Sequence, residues 1–235
     1  MSYVSAVVVA AGKGSRFKYS VPKPLVKINA KPAIVYSLET LSRHPAIKEI
    51  IVVTNAQNRR SVNYAIRKYR ILKVSAVIGG GRRRQDSVYN GLRSLGRKTD
   101  IVLIHDGARP FIDSGIISRS IEKAISSGAA IIAVPVKDTV KEVTKSQRYK
   151  VTKDILVKKT LNRDTLWEVQ TPQVFRKRLI LRAYERFRKC DVTDDAMLVE
   201  KLGAPVKVVE GSYNNIKITT IEDLIIAEAI ARERG

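Results

Sequence analysis

A repeated switch between short β-branched runs and segments of helical periodicity constrains this chain more than any other feature. Val4 to Ala11 is short and almost wholly apolar, the pattern of a strand buried on both faces in a parallel sheet. Glu49 to Thr54, residues 73 to 78, Ile101 to Asp106 and Ala129 to Val136 repeat it. Helical patterns at Pro32 to Arg43, 58 to 70, 84 to 95 and 114 to 127 fall between them, the first with Pro in its first turn. Such a βαβ series predicts an α/β protein with a mainly parallel twisted sheet, right-handed crossovers and helices on both faces. Arg176 to Lys189, Thr193 to Leu202 and Thr220 to Arg234 read as further helices, with Val206 to Val209 a strand.

Residues 137–163 interrupt the series. Lys137 to Val143 and Tyr149 to Thr160 alternate polar with apolar, in a stretch holding nine basic and three acidic side chains. Two such strands outside the main sheet are marginal alone, so the segment is expected to be a protruding β-arm packed on a second subunit. A solvated surface hairpin is the alternative.

The 235 residues, 44% hydrophobic and 6% aromatic, suit one large domain, 1–235, with a full core. Met1 to Gly14 has no basic leader region and reads as the first core strand. No apolar stretch approaches the roughly 18 residues of a membrane helix. The single Cys190 rules out an intrachain disulfide, which suits the cytoplasm, and His44 and His105 complete no zinc set. A net charge of +22 fits either a nucleic-acid binder or an enzyme handling polyanionic phosphates. The cations are scattered, Arg82-Arg83-Arg84 being the one compact run, and no nucleic-acid motif or aromatic stripe accompanies them. A solvated thermophile surface would also look like this.

Ala10-Ala11-Gly12-Lys13-Gly14-Ser15-Arg16 follows the first strand, where open α/β sheets bind ligands. Glycines there let backbone N–H groups approach a triphosphate, and Arg16 and Lys23 add charge. Phe17 spoils a dinucleotide fingerprint, and the P-loop frame is absent. His105-Asp106-Gly107-Ala108-Arg109-Pro110 leaves the sheet on the same edge. Asp106 could hold magnesium beside a triphosphate, or cap the turn, and Arg109 could pair with an anion. His105 reads as a packed residue. Gly79-Gly80-Gly81 with Ser87 opens a helix and could approach a flat base or simply cap. Thr193 reads as a helix N-cap or a phosphate donor, and Lys217 as a surface or cleft lysine.

In this order the motifs resemble the 2-C-methyl-D-erythritol 4-phosphate cytidylyltransferase family of the non-mevalonate isoprenoid pathway. The resemblance rests on Ala10-Ala11-Gly12, Gly14, Arg16, Pro22-Lys23, Gly80-Gly81, Arg84, Ser87-Val88, His105-Asp106, Ala108-Arg109-Pro110, Asp138-Thr139, Arg163, Leu166-Trp167, Gln170-Thr171-Pro172-Gln173, Thr193-Asp194 and Asn215-Ile216-Lys217 with Thr219. It implies a nucleotidyltransferase version of the Rossmann-like fold, CTP and a divalent cation, chiefly magnesium, and a homodimer whose arm reaches the neighbour. CTP would lie on Ala10, Ala11, Gly12, Gly14, Gly81 and Ser87, with Arg16 and Lys23 on its phosphates and Asp106 on the metal. Arg109, Thr139, Thr171, Thr193 and Lys217 would line the methylerythritol phosphate site, and Arg163 would enter it from the partner's arm. Gly107 stands where many members carry Ala, and Arg82 and Arg83 lie outside the pattern. A fused cyclase domain is not expected. Cytidylyl transfer to another polyol phosphate such as ribitol 5-phosphate is the alternative, and a basic nucleic-acid binder the distant one.

Overall fold

A computed structural model describes residues 2–12, 22–145 and 155–234. Strand β1 (Val4–Ala10) leads to a small hairpin of β2 (Lys27–Ile28) and β3 (Lys31–Pro32), then to α1 (Ala33–Arg43), β4 (Ile47–Thr54), α2 (Arg59–Lys68) and β5 (Val74–Gly79). The series continues through α3 (Arg84–Arg93), β6 (Ile101–Asp106), α4 (Ser114–Ser127) and β7 (Ala129–Pro135). The arm follows as β8 (Lys141–Lys145) and β9 (Ile155–Thr160). The chain then re-enters the main sheet as β10 (Trp167–Arg176) and runs through α5 (Lys177–Arg186), α6 (Ala196–Lys201), β11 (Lys207–Glu210) and α7 (Ile221–Glu233).

Seven strands form one sheet in the order β11-β7-β10-β6-β1-β4-β5. The period-two alternation of β1 divides its side chains between two cores. Val4, Ala6, Val8 and Ala10 pack with buried residues of α1, α2 and α4 on one face. Val7 joins α3, α5 and α6 on the other. Full burial of each such Val, Leu or Ile stabilises by about 1.5–3 kcal/mol, which is what clamps both helical layers to the sheet. A third cluster joins α7 to Ile28 and Phe111. Among the described residues no helix is long and apolar enough to cross a membrane.

The parallel series stands as expected, and β10 is its exception. It runs antiparallel to both β6 and β7, and its register slips between Gln170 and Gln173. Pro172, which has no N–H to give a ladder, sits in that slip. A proline between two glutamines hides a central strand from a hydrophobicity pattern, although Gln170 to Phe175 are all buried. The β2–β3 turn is equally hidden. Asn29 and Ala30 take left-handed φ of 45° and 65°, as a two-residue hairpin turn requires, without the glycine that usually signals it.

The helix expected from Thr193 starts instead at Ala196, so Thr193 is not its N-cap. Asp194 does the local capping, its carboxylate accepting the Met197 N–H at 3.0 Å, while the Thr193 hydroxyl meets only Met197 Sδ at 4.0 Å. In the arm, β8 and β9 pair antiparallel as a separate two-stranded sheet. Ile155 and Val157 there are 63% exposed, and Val143 and Leu156 about half. Residues 146–154 of the expected arm lie outside the described residues.

Candidate active site

The carboxyl ends of β1 and β6 and the loop after β5 open on a cavity of about 650 Å³, lined among others by Ala10, Ala11, Gly12, Lys23, Gly81, Ser87, Asp106 and Lys217. Its wall needs glycine. A Cβ on Gly80 would come 2.3 Å from Ala11 Cβ, and one on Gly81 would come 2.3 Å from Asp86 Cβ. The Ser87 hydroxyl accepts the Gly81 N–H at 3.0 Å and donates to the Arg83 carbonyl at 3.2 Å, so it shapes this turn as well as lining the cavity. Lys23 Nζ donates to the Thr219 carbonyl at 3.0 Å, which ties the cavity's two rims together. Gly14 and Arg16 lie outside the described residues.

A second cavity, of about 500 Å³, is lined by Arg109, Thr171, Gln173, Thr193 and Asp194 among others, and it shares Arg84, Asp106 and Lys217 with the first. Three elements distant in sequence build this common wall. Strand β6 ends at Asp106, α3 begins at Arg84, and the segment carrying Lys217 is sewn to the β6 loop by Ile218 N–H donating to the Ala108 carbonyl at 2.9 Å.

Asp106 is therefore not a turn cap. Its Oδ1 accepts from Arg84 Nε at 3.0 Å and lies 3.0 Å from Nη2 in the ion pair, and its Oδ2 accepts from Lys217 Nζ at 2.6 Å. Burial pushes this carboxyl up, but Arg84, then Lys217, outweighs burial and holds it well below the usual carboxylate range. Arg84 is caught between two carboxylates, its Nη1 donating to Asp195 Oδ2 at 2.9 Å. Burial works against its charge, while Asp195 and Asp106 raise its pKa above the ordinary arginine value.

His105 is packed, as its sequence setting suggests. Its Nε2 faces the Arg109 carbonyl at 2.9 Å, which only accepts, so Nε2 carries the proton. Burial lowers its pKa to about 4, leaving Nδ1 a neutral acceptor for the Thr171 hydroxyl at 3.2 Å. Thr171 Oγ1 in turn accepts the Asp106 N–H at 3.0 Å, so its hydroxyl fixes the wall of the second cavity. Arg109 donates to the carbonyls of Asn215, at 2.7 Å, and Val169, at 3.4 Å. Burial lowers its pKa.

Two expected residues are not brought to these cavities within the chain. Thr139 and Arg163 are exposed at the base of the arm, where Arg163 Nη1 donates to the Lys137 carbonyl at 2.9 Å. Sequence reasoning in turn missed Asp195 and Tyr184, which stand behind Arg84 and whose pairing no linear spacing reveals. Among the described residues no three His, Cys, Asp or Glu side chains converge for a metal, and Asp106 is the one carboxylate lining the larger cavity.

Two cavities meet at a cation-flanked carboxylate over the carboxyl edge of a wound sheet, the edge at which open α/β sheets bind ligands, and the family that this chain matches is one of nucleotidyltransferases. The chain matches the family described as "IspD: 2-C-methyl-D-erythritol 4-phosphate cytidylyltransferase" over residues 4–233, and it belongs to that family. It is 46% identical over 237 residues to the protein of that name from Alkaliphilus metalliredigens, covering 99% of this chain and 95% of that one. With the Syntrophus aciditrophicus protein of the same name identity is 47% over 236 residues, covering 99% and 97%. The solved 4-diphosphocytidyl-2C-methyl-D-erythritol synthase of Anaerococcus prevotii superposes with a TM-score of 0.83 at 35% identity, over 98% of this chain and 96% of that one. The 2-C-methyl-D-erythritol 4-phosphate cytidylyltransferase of Thermus thermophilus gives 0.77 at 30% identity, over 98% and 99%. The chain is thus a CTP-dependent cytidylyltransferase of isoprenoid precursor synthesis.

Proposed function

We propose that this chain binds CTP in the larger cavity and 2-C-methyl-D-erythritol 4-phosphate in the smaller, and joins them at the shared wall. The observation that carries this reading is that wall itself: Arg84, Asp106 and Lys217 belong to both cavities. A phosphate oxygen of the polyol phosphate attacks the α-phosphorus of CTP in line, and the bond to the bridging oxygen breaks. Pyrophosphate leaves and 4-diphosphocytidyl-2-C-methyl-D-erythritol forms. The nucleophile is already an anion near neutral pH, so the protein's work is to hold two mutually repelling anions in line.

Ala10, Ala11, Gly12, Gly14 and Gly81 offer backbone at the nucleotide, and Ser87 sets the turn that carries Gly81. Arg16 and Lys23 hold the triphosphate. Lys217, on the common wall, orients the attacking phosphate, with Arg109, Thr171 and Thr193 around the acceptor. Asp106 fits magnesium in one way only. It is a single ionised carboxylate at the seam, so the remaining ligands would be phosphate oxygens and water, as this cation prefers. With such a cation held by Asp106, the site would gain positive charge to set against the charge developing around the α-phosphate.

The arm completes the assembly. Its exposed Val143, Ile155, Leu156 and Val157 suit burial against a second copy, giving a homodimer through 137–163. In it, Arg163 and Thr139 serve the partner's acceptor cavity. Pyrophosphate release from CTP and magnesium tests the whole reading, with methylerythritol phosphate and ribitol 5-phosphate offered separately and a chelator as control. Release with the first acceptor alone is expected. Release with ribitol phosphate alone would move the specificity, and silence with both would overturn it.

A further inference from the structure

Asp195 is a charged residue that touches neither cavity yet is 1% exposed. A carboxylate at that depth is costly unless its charge is matched. Its side chain makes no helix cap. Both oxygens are committed elsewhere: Oδ2 accepts from Arg84 Nη1 at 2.9 Å, and Oδ1 accepts from the hydroxyl of the fully buried Tyr184. Its backbone is fixed too, since the N–H groups of Asp195 and Ala196 both donate to Gln173 Oε1 at 3.1 Å. Arg84 spends the other edge of its guanidinium on Asp106. Planar Arg suits this double engagement, because Lys offers a single charged point that cannot reach two carboxylates in a fixed fork.

We propose that Asp195 is a positioning residue that acts through Arg84 to keep Asp106 available to a divalent cation. Arg84, Lys217, Asp106 and Asp195 form a group of two cations and two carboxylates. With Asp195 present the group is neutral and Arg84 is pinned against the wall. Without its charge the group is net positive beside Asp106, and Arg84 is free to satisfy Asp106 alone. Such a change repels a dication and attracts a bare polyanion, so metal and nucleotide should respond with opposite sign. A role confined to packing would weaken both together. The inference rests on the assignment of Asp106 to the metal.

The test is calorimetric, on the full chain with no acceptor present, so that no turnover is involved. CTP affinity is measured once with EDTA and once in saturating magnesium, and the ratio is the metal's contribution. Asp195→Asn should leave binding in EDTA unchanged or a few-fold tighter, while the gain from magnesium falls roughly tenfold. Arg84→Lys, which keeps the cation and loses the fork, should also lose most of that gain, read as the ratio of magnesium to EDTA affinity within the same variant whatever its binding in EDTA alone. It decides the matter should Asp195→Asn fail to fold. Asp106→Ala separates the two assignments. A full magnesium gain in Asp106→Ala would overturn the metal site itself. Loss of the gain there, but not in Asp195→Asn or Arg84→Lys, would overturn the relay alone. Equal weakening of both ratios' terms in Asp195→Asn would make it a packing residue and overturn the relay as well.

Discussion

The two halves of the sheet build their cavities by different routes. On the β6-β1-β4-β5 side every strand is parallel, so each carboxyl end delivers its loop to the same edge, and most of the larger cavity's wall comes from the winding, with Lys217 to Thr219 closing one rim. On the β10-β7-β11 side, β10 runs against both neighbours and brings Thr171 and Gln173 in from mid-strand. The smaller cavity then depends on side chains of separate segments meeting: Gln173 Nε2 on Asp194 at 2.7 Å, and Asn215 Nδ2 on the Thr171 carbonyl at 2.9 Å. A site made from strand-end loops survives changes elsewhere in the fold. One assembled across segments depends on each contact that holds it.

Asp106 lies on the seam, so its loss should harm both halves and give the largest effect. Asp106→Ala removes the one carboxylate that the described residues give the larger cavity, takes from Lys217 its ion-pair partner and leaves Arg84 paired with Asp195 alone. Turnover should fall on the order of a thousandfold or more, with the fold retained by circular dichroism. Near-normal pyrophosphate release would mean that the seam is not where the two substrates react.

His105 underlies the same seam and reports on it through stability. Burial holds its pKa at about 4, below the ordinary 6.5, so the native state resists protonation and the unfolded state does not. Stability from this group is therefore complete above pH 6.5 and is lost as pH falls towards 4, a change on the order of 3 kcal/mol. Urea unfolding of wild type and His105→Gln at pH 7, 5.5 and 4.5 checks this. Wild type should lose more stability than the variant across that window, and parallel curves would remove His105 as the cause.

What could be read from sequence follows the same division. The parallel strands and the placement of Gly12, Gly81 and Asp106 were legible because each is a local pattern: an apolar run, then a turn residue at its carboxyl end. Strand β10 was not, since Pro172 interrupts its ladder and Gln170 and Gln173 are buried with hydrogen bonds to distant partners rather than by their own hydrophobicity. The Thr193 cap was misplaced because Asp194, next to it, competes for the same backbone donors. The Arg84–Asp195 pair spans 111 positions, and nothing about either residue in isolation announces the other.

Single residues on either side of the seam then sharpen the comparison. Lys23→Ala, on the nucleotide side, removes a preorganised cation from the cavity rim, and the turnover number should drop about a hundredfold. An unchanged turnover number would take Lys23 out of the chemistry.

Thr193→Val, on the acceptor side, should do least. Thr193 lines the smaller cavity and is exposed, and among the described residues its hydroxyl is bonded only to Met197 Sδ, at 4.0 Å. The nearby cap belongs to Asp194, so the fold should not notice the change. Valine keeps the branched shape and removes only a donor and acceptor to the polyol phosphate, a loss of about 1–1.5 kcal/mol, or roughly tenfold. That loss should appear as a raised KM for methylerythritol phosphate, with KM for CTP unmoved, because Thr193 lines the smaller cavity and not the larger. If both constants rose together, the two cavities would not be separate subsites, and the division of the molecule into a wound half and an assembled half would lose its functional meaning.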